Sequence, residues 1–213
     1  MAFFNQQTQK KKFIGLNLSC FNERSPLMST IRPLDLSHLL LQSILSEKDW
    51  AIDATVGRGY DTSFLCHLLP KGRLFAFDIQ KDALDQAKDR VKNVSTTIDW
   101  IEDSHANFSS YLAPYEGQIA AIVYNLGYLP GGDKAITTTV ASTLESVAQG
   151  LHLLRSGGLM TIMVYPGHPE GAREKDALIS YCRTLSQDKV DVYCYQALNQ
   201  MNQPAFLLAL QKK

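Results

Sequence analysis

The chain has 213 residues, 45% of them hydrophobic and 20% charged, and its 21 basic and 21 acidic residues give a formal net charge of zero. That is ordinary globular composition with enough chain for one domain and a sizeable core, and neutrality withholds support from bulk nonspecific nucleic-acid binding while allowing a local basic patch. Cys20, Cys66, Cys182 and Cys194 lie too far apart for a Cys-x-x-Cys zinc or redox motif and are expected to be reduced apolar fillers; no apolar run approaches the ~20 residues of a membrane span.

In chain order, residues 1–27 form a basic arm. Lys10, Lys11, Lys12 and Arg24 face one acid, Glu23, and periodicity is weak. A targeting segment, a floppy extension and an RNA-contacting arm all fit such a stretch. From residue 28 a single catalytic domain is expected. Leu36, Leu39, Leu40, Ser43 and Ile44 mark one face of a helix that Asp35 or Ser37 is placed to cap. Strands are then expected at 50–54, 73–77, 97–101, 119–124, 158–164, 190–195 and 205–210, with helices at 61–69, 81–92, 138–154 and 171–186. Strands separated by helices imply crossovers and a parallel sheet. The last two strands are joined by a loop without room for a helix, so they pair antiparallel. This order resembles the class I methyltransferases that use S-adenosylmethionine (SAM): an α/β, Rossmann-like, seven-stranded, mostly parallel sheet with an antiparallel last strand and helices on both faces.

The first strand runs into Asp53-Ala54-Thr55-Val56-Gly57-Arg58-Gly59-Tyr60-Asp61-Thr62. Gly57 and Gly59 permit positive φ and close approach of a ligand, and the following helix offers its unpaired N–H groups. The second strand ends in Asp78, about 20 residues further on, where a ribose needs an acid. The dinucleotide fingerprint asks for a third glycine where Thr62 stands, and Asp53 and Asp61 would repel a pyrophosphate. A cationic adenosine ligand, SAM, suits the loop better. The candidate cofactor contacts in these two loops are Asp53, Thr55, Gly57, Gly59, Asp61, Thr62, Asp78 and Gln80.

Ligands of such sheets gather outside the carboxyl ends of the strands. After the third strand, Asp103 is placed to accept from an adenine amino group, with Ser104 and His105 beside it. After the fourth comes Asn125-Leu126-Gly127-Tyr128-Leu129-Pro130-Gly131-Gly132-Asp133-Lys134. This resembles the Asn-Pro-Pro-Tyr element of methyltransferases acting on amino nitrogens, with Leu126-Gly127 in place of Pro-Pro. Methyl transfer is an in-line displacement, so the site must hold a neutral amine lone pair against the methyl carbon. Asn125 and Asp133 are candidates to orient the amine, and Tyr128 to pack on the substrate. His38, His67 and His152 fall in helical patterns without metal-ligand spacing, and no metal is expected.

Four segments, Asp53–Gly57, Asn125–Lys134, Tyr165–Gly171 and Asn199–Pro204, together resemble the bacterial YtqB/MnmM family. The resemblance runs from about Met28 to the C-terminus. It implies a SAM-dependent methyltransferase acting on the aminomethyl nitrogen of 5-aminomethyl-2-thiouridine at the tRNA wobble position, with a tRNA anticodon stem-loop as partner. A flipped wobble uridine needs a pocket offering stacking and polar contacts, for which the resemblance makes Tyr128, Tyr165 and His168 the candidates, with Pro130 beside them, and Asn202 and Gln203 in the last hairpin are placed to meet the RNA. It also implies a cytoplasmic setting without membrane association; a homodimer is allowed but not required. The residues by themselves leave open a SAM-dependent enzyme acting on rRNA or on another amine. Arg58 departs from the small polar residue the family pattern leads one to expect.

Overall fold

Seven strands and six helices alternate along the residues that the structure, a computed structural model, describes, namely 31–127 and 138–213. The basic arm 1–27 and the acceptor-motif residues Tyr128, Pro130 and Asp133 lie outside them. The strands are β1 (Trp50–Asp53), β2 (Arg73–Asp78), β3 (Thr97–Glu102), β4 (Ile119–Asn125), β5 (Leu154–Val164), β6 (Val190–Tyr195) and β7 (Phe206–Lys212). The helices are α1 (Pro33–Ile44), α2 (Tyr60–Leu68), α3 (Lys81–Arg90), α4 (Phe108–Leu112), α5 (Val140–Leu153) and α6 (Pro169–Thr184). The sheet order is β3-β2-β1-β4-β5-β7-β6. β1 to β5 pair in parallel, and β7 inserts antiparallel between β5 and β6. Strand order reverses between β1 and β4, the switch point where a ligand cleft opens in such sheets.

Side-chain alternation along the strands builds two cores. Phe75, Phe77, Ile122 and Tyr124 point to one face and pack with Phe108 and Leu112 of α4, Val147 of α5 and Leu178 of α6. Leu74, Ala121 and Val123 point to the other and pack with Leu41 of α1 and with Leu65 and Cys66 of α2. Burial on both faces is why β4 reads as a continuous apolar run.

Several expectations are corrected. Helix α1 has Arg32 at its N-cap with no side-chain cap, and Pro33 opens it; Asp35 instead pairs with Arg32 at 2.8 Å. Its buried positions are Ser37 and Leu41, with Leu40 and Ile44 partly buried, whereas Ser43 is exposed. Cys66 and Cys182 are buried, but Cys194 is exposed on β6. β5 starts at Leu154, directly after α5, because Gly157 at φ +75° lets an irregular stretch join the Ile119↔Leu154 pair to the regular Ala121↔Leu159 register. Helix α4 was not expected; its signal is the i, i+4 pair Phe108 and Leu112, both fully buried.

Gly59, at φ +75° as the N-cap of α2, lies against α3: a Cβ there would meet the Ala87 Cβ at 2.7 Å and its Cα at 2.8 Å. Gly59→Ala is therefore both strained and overpacked. It should cost about 1–3 kcal/mol, lowering the melting temperature by roughly 2–4 °C per kcal/mol in a domain of this size. Thermal unfolding followed by circular dichroism checks this, and an unchanged transition would show that α2 and α3 are not wedged at this point.

Candidate active site

The carboxyl ends of β1, β2, β3 and β4 and the loop after β5 enclose one cleft of about 650 Å³, within the size range of small-ligand sites. The glycine loop forms its floor. Gly57 takes φ +50° and donates its N–H to Asp78 Oδ2 at 2.8 Å, while the Gln80 N–H donates to Asp78 Oδ1 at 2.9 Å. One carboxylate at the end of β2 thus ties the loop after β1 to the start of α3. Burial raises the Asp78 carboxyl above its ordinary value against these hydrogen bonds. Thr55, Gly57, Asp61, Asp78 and Gln80 line the cleft.

Three loop residues put forward as cofactor contacts do not line it. Asp53 is fully buried, accepting from Thr62 Oγ1 at 2.6 Å and from the Thr55 N–H at 3.2 Å. Burial, with Asp61 adding repulsion, pushes its carboxyl up to about 7. Thr62 is buried with it, and Gly59 is spent on the α2–α3 contact. Asp53 and Thr62 therefore brace the loop from beneath.

At the end of β3, Asp103, Ser104 and His105 all reach the cleft. Asp103 accepts from the Ser104 N–H at 2.6 Å, Asn107 Nδ2 at 2.9 Å and the Tyr111 hydroxyl at 2.9 Å. Partial burial raises its carboxyl, and the three bonds outweigh that, leaving it below the ordinary carboxylate range. Burial drives the His105 imidazole down to about 4, so the ring is neutral at pH 7. Its Nδ1 has no hydrogen-bond partner among the described residues.

β4 delivers the fourth part. The Asn125 N–H donates to Thr55 Oγ1 at 2.7 Å, and Asn125 Nδ2 donates to Asp61 Oδ2 at 3.2 Å. Asn125 also hydrogen-bonds with Tyr165, which burial and the nearby Asp61 push to higher pKa. Beyond it, Gly127 takes φ +120°, which proline cannot adopt, a physical reason for the missing Pro-Pro. The Gly127 N–H donates to Thr138 Oγ1 at 3.0 Å; Thr138 donates to the buried Glu174 of α6 at 3.1 Å, and Thr143 of α5 donates to the same carboxylate. Burial raises the Glu174 carboxyl.

Tyr165 and His168 line the cleft; His168 is also the N-cap of α6, accepting the Gly171 N–H on Nδ1 at 3.1 Å. In the β6–β7 loop the neighbour of Asn202, Gln203, reaches the cleft, while Asn202 does not line it. Residues the motifs did not flag complete the wall, among them Ile79, Thr138 and Ser142. Among the described residues no group of three His, Cys, Asp or Glu side chains could hold a metal ion.

Asp61, Asp78 and Asp103 border the cleft, and Asp53 lies just beneath it. A cationic ligand fits such a field better than a phosphate-bearing one. The fold and this cleft define a class I SAM-dependent methyltransferase. A crystal structure described as a "putative rRNA-methylase" from Clostridium thermocellum superposes with a TM-score of 0.83 at 32% identity, covering 87% of this chain and all of that one. A second, described as a "putative methyltransferase" from Streptococcus mutans in complex with SAH, gives a TM-score of 0.79 at 38% identity, again over 87% of this chain and all of that one. A curated relative, the chloroplastic tRNA (mnm(5)s(2)U34)-methyltransferase of Arabidopsis thaliana, is 26% identical over 190 residues, 84% of this chain and 69% of the relative. The family model described as "Putative rRNA methylase" matches residues 74–211, and the chain belongs to that family. Its cofactor is SAM. No helix among the described residues is long and apolar enough to cross a membrane.

Proposed function

We propose that the enzyme methylates the aminomethyl nitrogen of 5-aminomethyl-2-thiouridine at the wobble position of tRNA. The observation that carries this is the placement of Asn125: it ends β4 inside the same cleft as the glycine loop, its backbone held by Thr55 and its amide by Asp61. An amide fixed beside a cofactor loop suits an amine acceptor, and the name of the Arabidopsis relative supports a wobble-uridine substrate.

When bound, SAM supplies an electrophilic methyl group on a sulfonium. The chain's own residues bind and orient. Asp78 holds the ribose hydroxyls, Asp103 accepts from the adenine amino group, and Gln80, Ser104 and His105 shape the adenosine pocket. Asn125 Oδ1 and the Leu126 carbonyl take the N–H bonds of the amine, so its lone pair faces the methyl carbon. Tyr165 and His168 line the side where a flipped base would enter. Tyr128 stacking on the base, Pro130 beside it and Asp133 assisting Asn125 complete the reading from sequence, outside the described residues. Residues 28–213 act as the catalytic domain on a tRNA anticodon stem-loop in the cytoplasm.

Purified protein with SAM should methylate tRNA carrying 5-aminomethyl-2-thiouridine and leave tRNA lacking the aminomethyl group unchanged. Equal activity on tRNA lacking that group, or activity on ribosomal RNA alone, would overturn the substrate assignment.

A further inference from the structure

Behind the acceptor amide lies a pair that substrate positioning does not explain. His38 of α1 places Nε2 2.8 Å from Asp61 Oδ1, and the other Asp61 oxygen accepts from Asn125 at 3.2 Å. The imidazole is stacked flat on Phe64, with ring centroids 3.8 Å apart and planes 10° from parallel, so its orientation is fixed. Asp61 borders the cleft with 9% of its side chain exposed, while His38 keeps 27% of its side chain in contact with solvent. A continuous path therefore runs from the acceptor amide through a buried carboxylate to an imidazole that meets water.

The reaction needs such a path. A primary aminomethyl group is largely protonated in neutral water and has no lone pair in that form. Conversion of a primary ammonium and SAM into a methylated secondary ammonium and S-adenosylhomocysteine releases one proton. A lone carboxylate in the cleft would hold the ammonium as an ion pair and oppose its deprotonation. A carboxylate backed by imidazole, the side chain suited to proton exchange near neutral pH, can pass the proton on.

We infer that Asp61 and His38 form the proton outlet of the acceptor site. This rests on the amine-acceptor reading above. The substrate ammonium gives one proton to Asp61; His38 takes it across the 2.8 Å contact on Nε2 and gives up the proton on Nδ1 to water. The neutral amine then turns its two remaining N–H bonds to Asn125 Oδ1 and the Leu126 carbonyl, and its lone pair forms the bond to the methyl carbon as the carbon–sulfur pair returns to sulfur. Asp61 is the catalytic residue here and His38 positions and relays. The other groups facing Asp61 are Asp53 from β1, Tyr165 after β5 and the neutral Asn125; on its own helix His38 faces Asp35. Asp53 and Asp35 are acids and Tyr165 a phenol; among the described residues, His38 places an imidazole nitrogen within hydrogen-bond distance of Asp61.

The test is His38→Gln, with Asp61→Asn as a second variant that keeps the shape of the carboxylate but cannot take a proton. Two quantities are read: the pH profile of single-turnover methylation on aminomethyl tRNA, and the protons released when that RNA binds the complex with S-adenosylhomocysteine. The second comes from calorimetry in two buffers of different ionisation enthalpy. In the wild type the rate should flatten at lower pH than in His38→Gln, which should be slower by about tenfold at pH 6.5 and converge with wild type at high pH. Proton release on RNA binding should fall in both variants, while affinity for S-adenosylhomocysteine stays unchanged in His38→Gln. Superimposable profiles and equal proton release would overturn the outlet and leave the substrate reading standing. A wild type inactive on aminomethyl tRNA at every pH would overturn both.

Discussion

Asn125→Ala should lower single-turnover methylation of aminomethyl tRNA by about 10²-fold or more, the scale of losing a positioned transition-state contact, while SAM affinity stays nearly unchanged. The split follows from where the side chain sits. Its Nδ2 donates to Asp61 and its amide also bonds with Tyr165, which fixes the side chain at the end of β4, where Oδ1 is proposed to direct the amine. Its backbone N–H, held by Thr55 Oγ1 at 2.7 Å, survives the substitution, so the junction of β1 and β4 and the cofactor loop should keep their form. Rates should also rise with pH until the bound amine is fully neutral. Wild-type rates in Asn125→Ala would show that the amine is held elsewhere.

Asp78→Ala should weaken SAM binding at least tenfold. Hydrogen bonds to a charged group are worth ~1.5–3 kcal/mol, equivalent to roughly ten- to a hundredfold in affinity. Two effects add here. The ribose loses its acceptor, and the loop loses its anchor, because the same carboxylate receives the N–H groups of Gly57 and Gln80. Asp78→Asn, which keeps one acceptor oxygen, should fall between wild type and Ala. Calorimetry showing unchanged SAM affinity in Asp78→Ala would remove the ribose assignment.

Much of this cleft was legible in the sequence because its parts sit at strand ends, where a polar residue after an apolar run is conspicuous. Asp78 and Asn125 stand out for that reason, Asp103 by its place directly after the third strand, and the structure brings all three to one cleft. Residues with the same local signature but a different job are not separable that way. Gly59 resembles a ligand-facing glycine, yet its missing Cβ serves Ala87 on α3; Asp53 and Thr62 resemble ligand contacts, yet they bond each other in the core. The reverse holds for His38. It reads as one polar residue in an amphipathic helix, and its role depends on a contact with Asp61, 23 residues away. Ile79 and Ser142 likewise reach the cleft only through the tertiary fold. Helix α4 hid behind its Ser109-Ser110 pair, and the start of β5 behind Ser156-Gly157-Gly158, which reads as a turn.

Mass spectrometry of tRNA nucleosides from cells with and without the gene tests the substrate most directly. Loss of the gene should replace 5-methylaminomethyl-2-thiouridine by its unmethylated 5-aminomethyl precursor, and restoring the wild-type gene, but not the Asn125→Ala variant, should reverse the change. An unaltered wobble nucleoside, with a methyl group missing instead from ribosomal RNA, would contradict it.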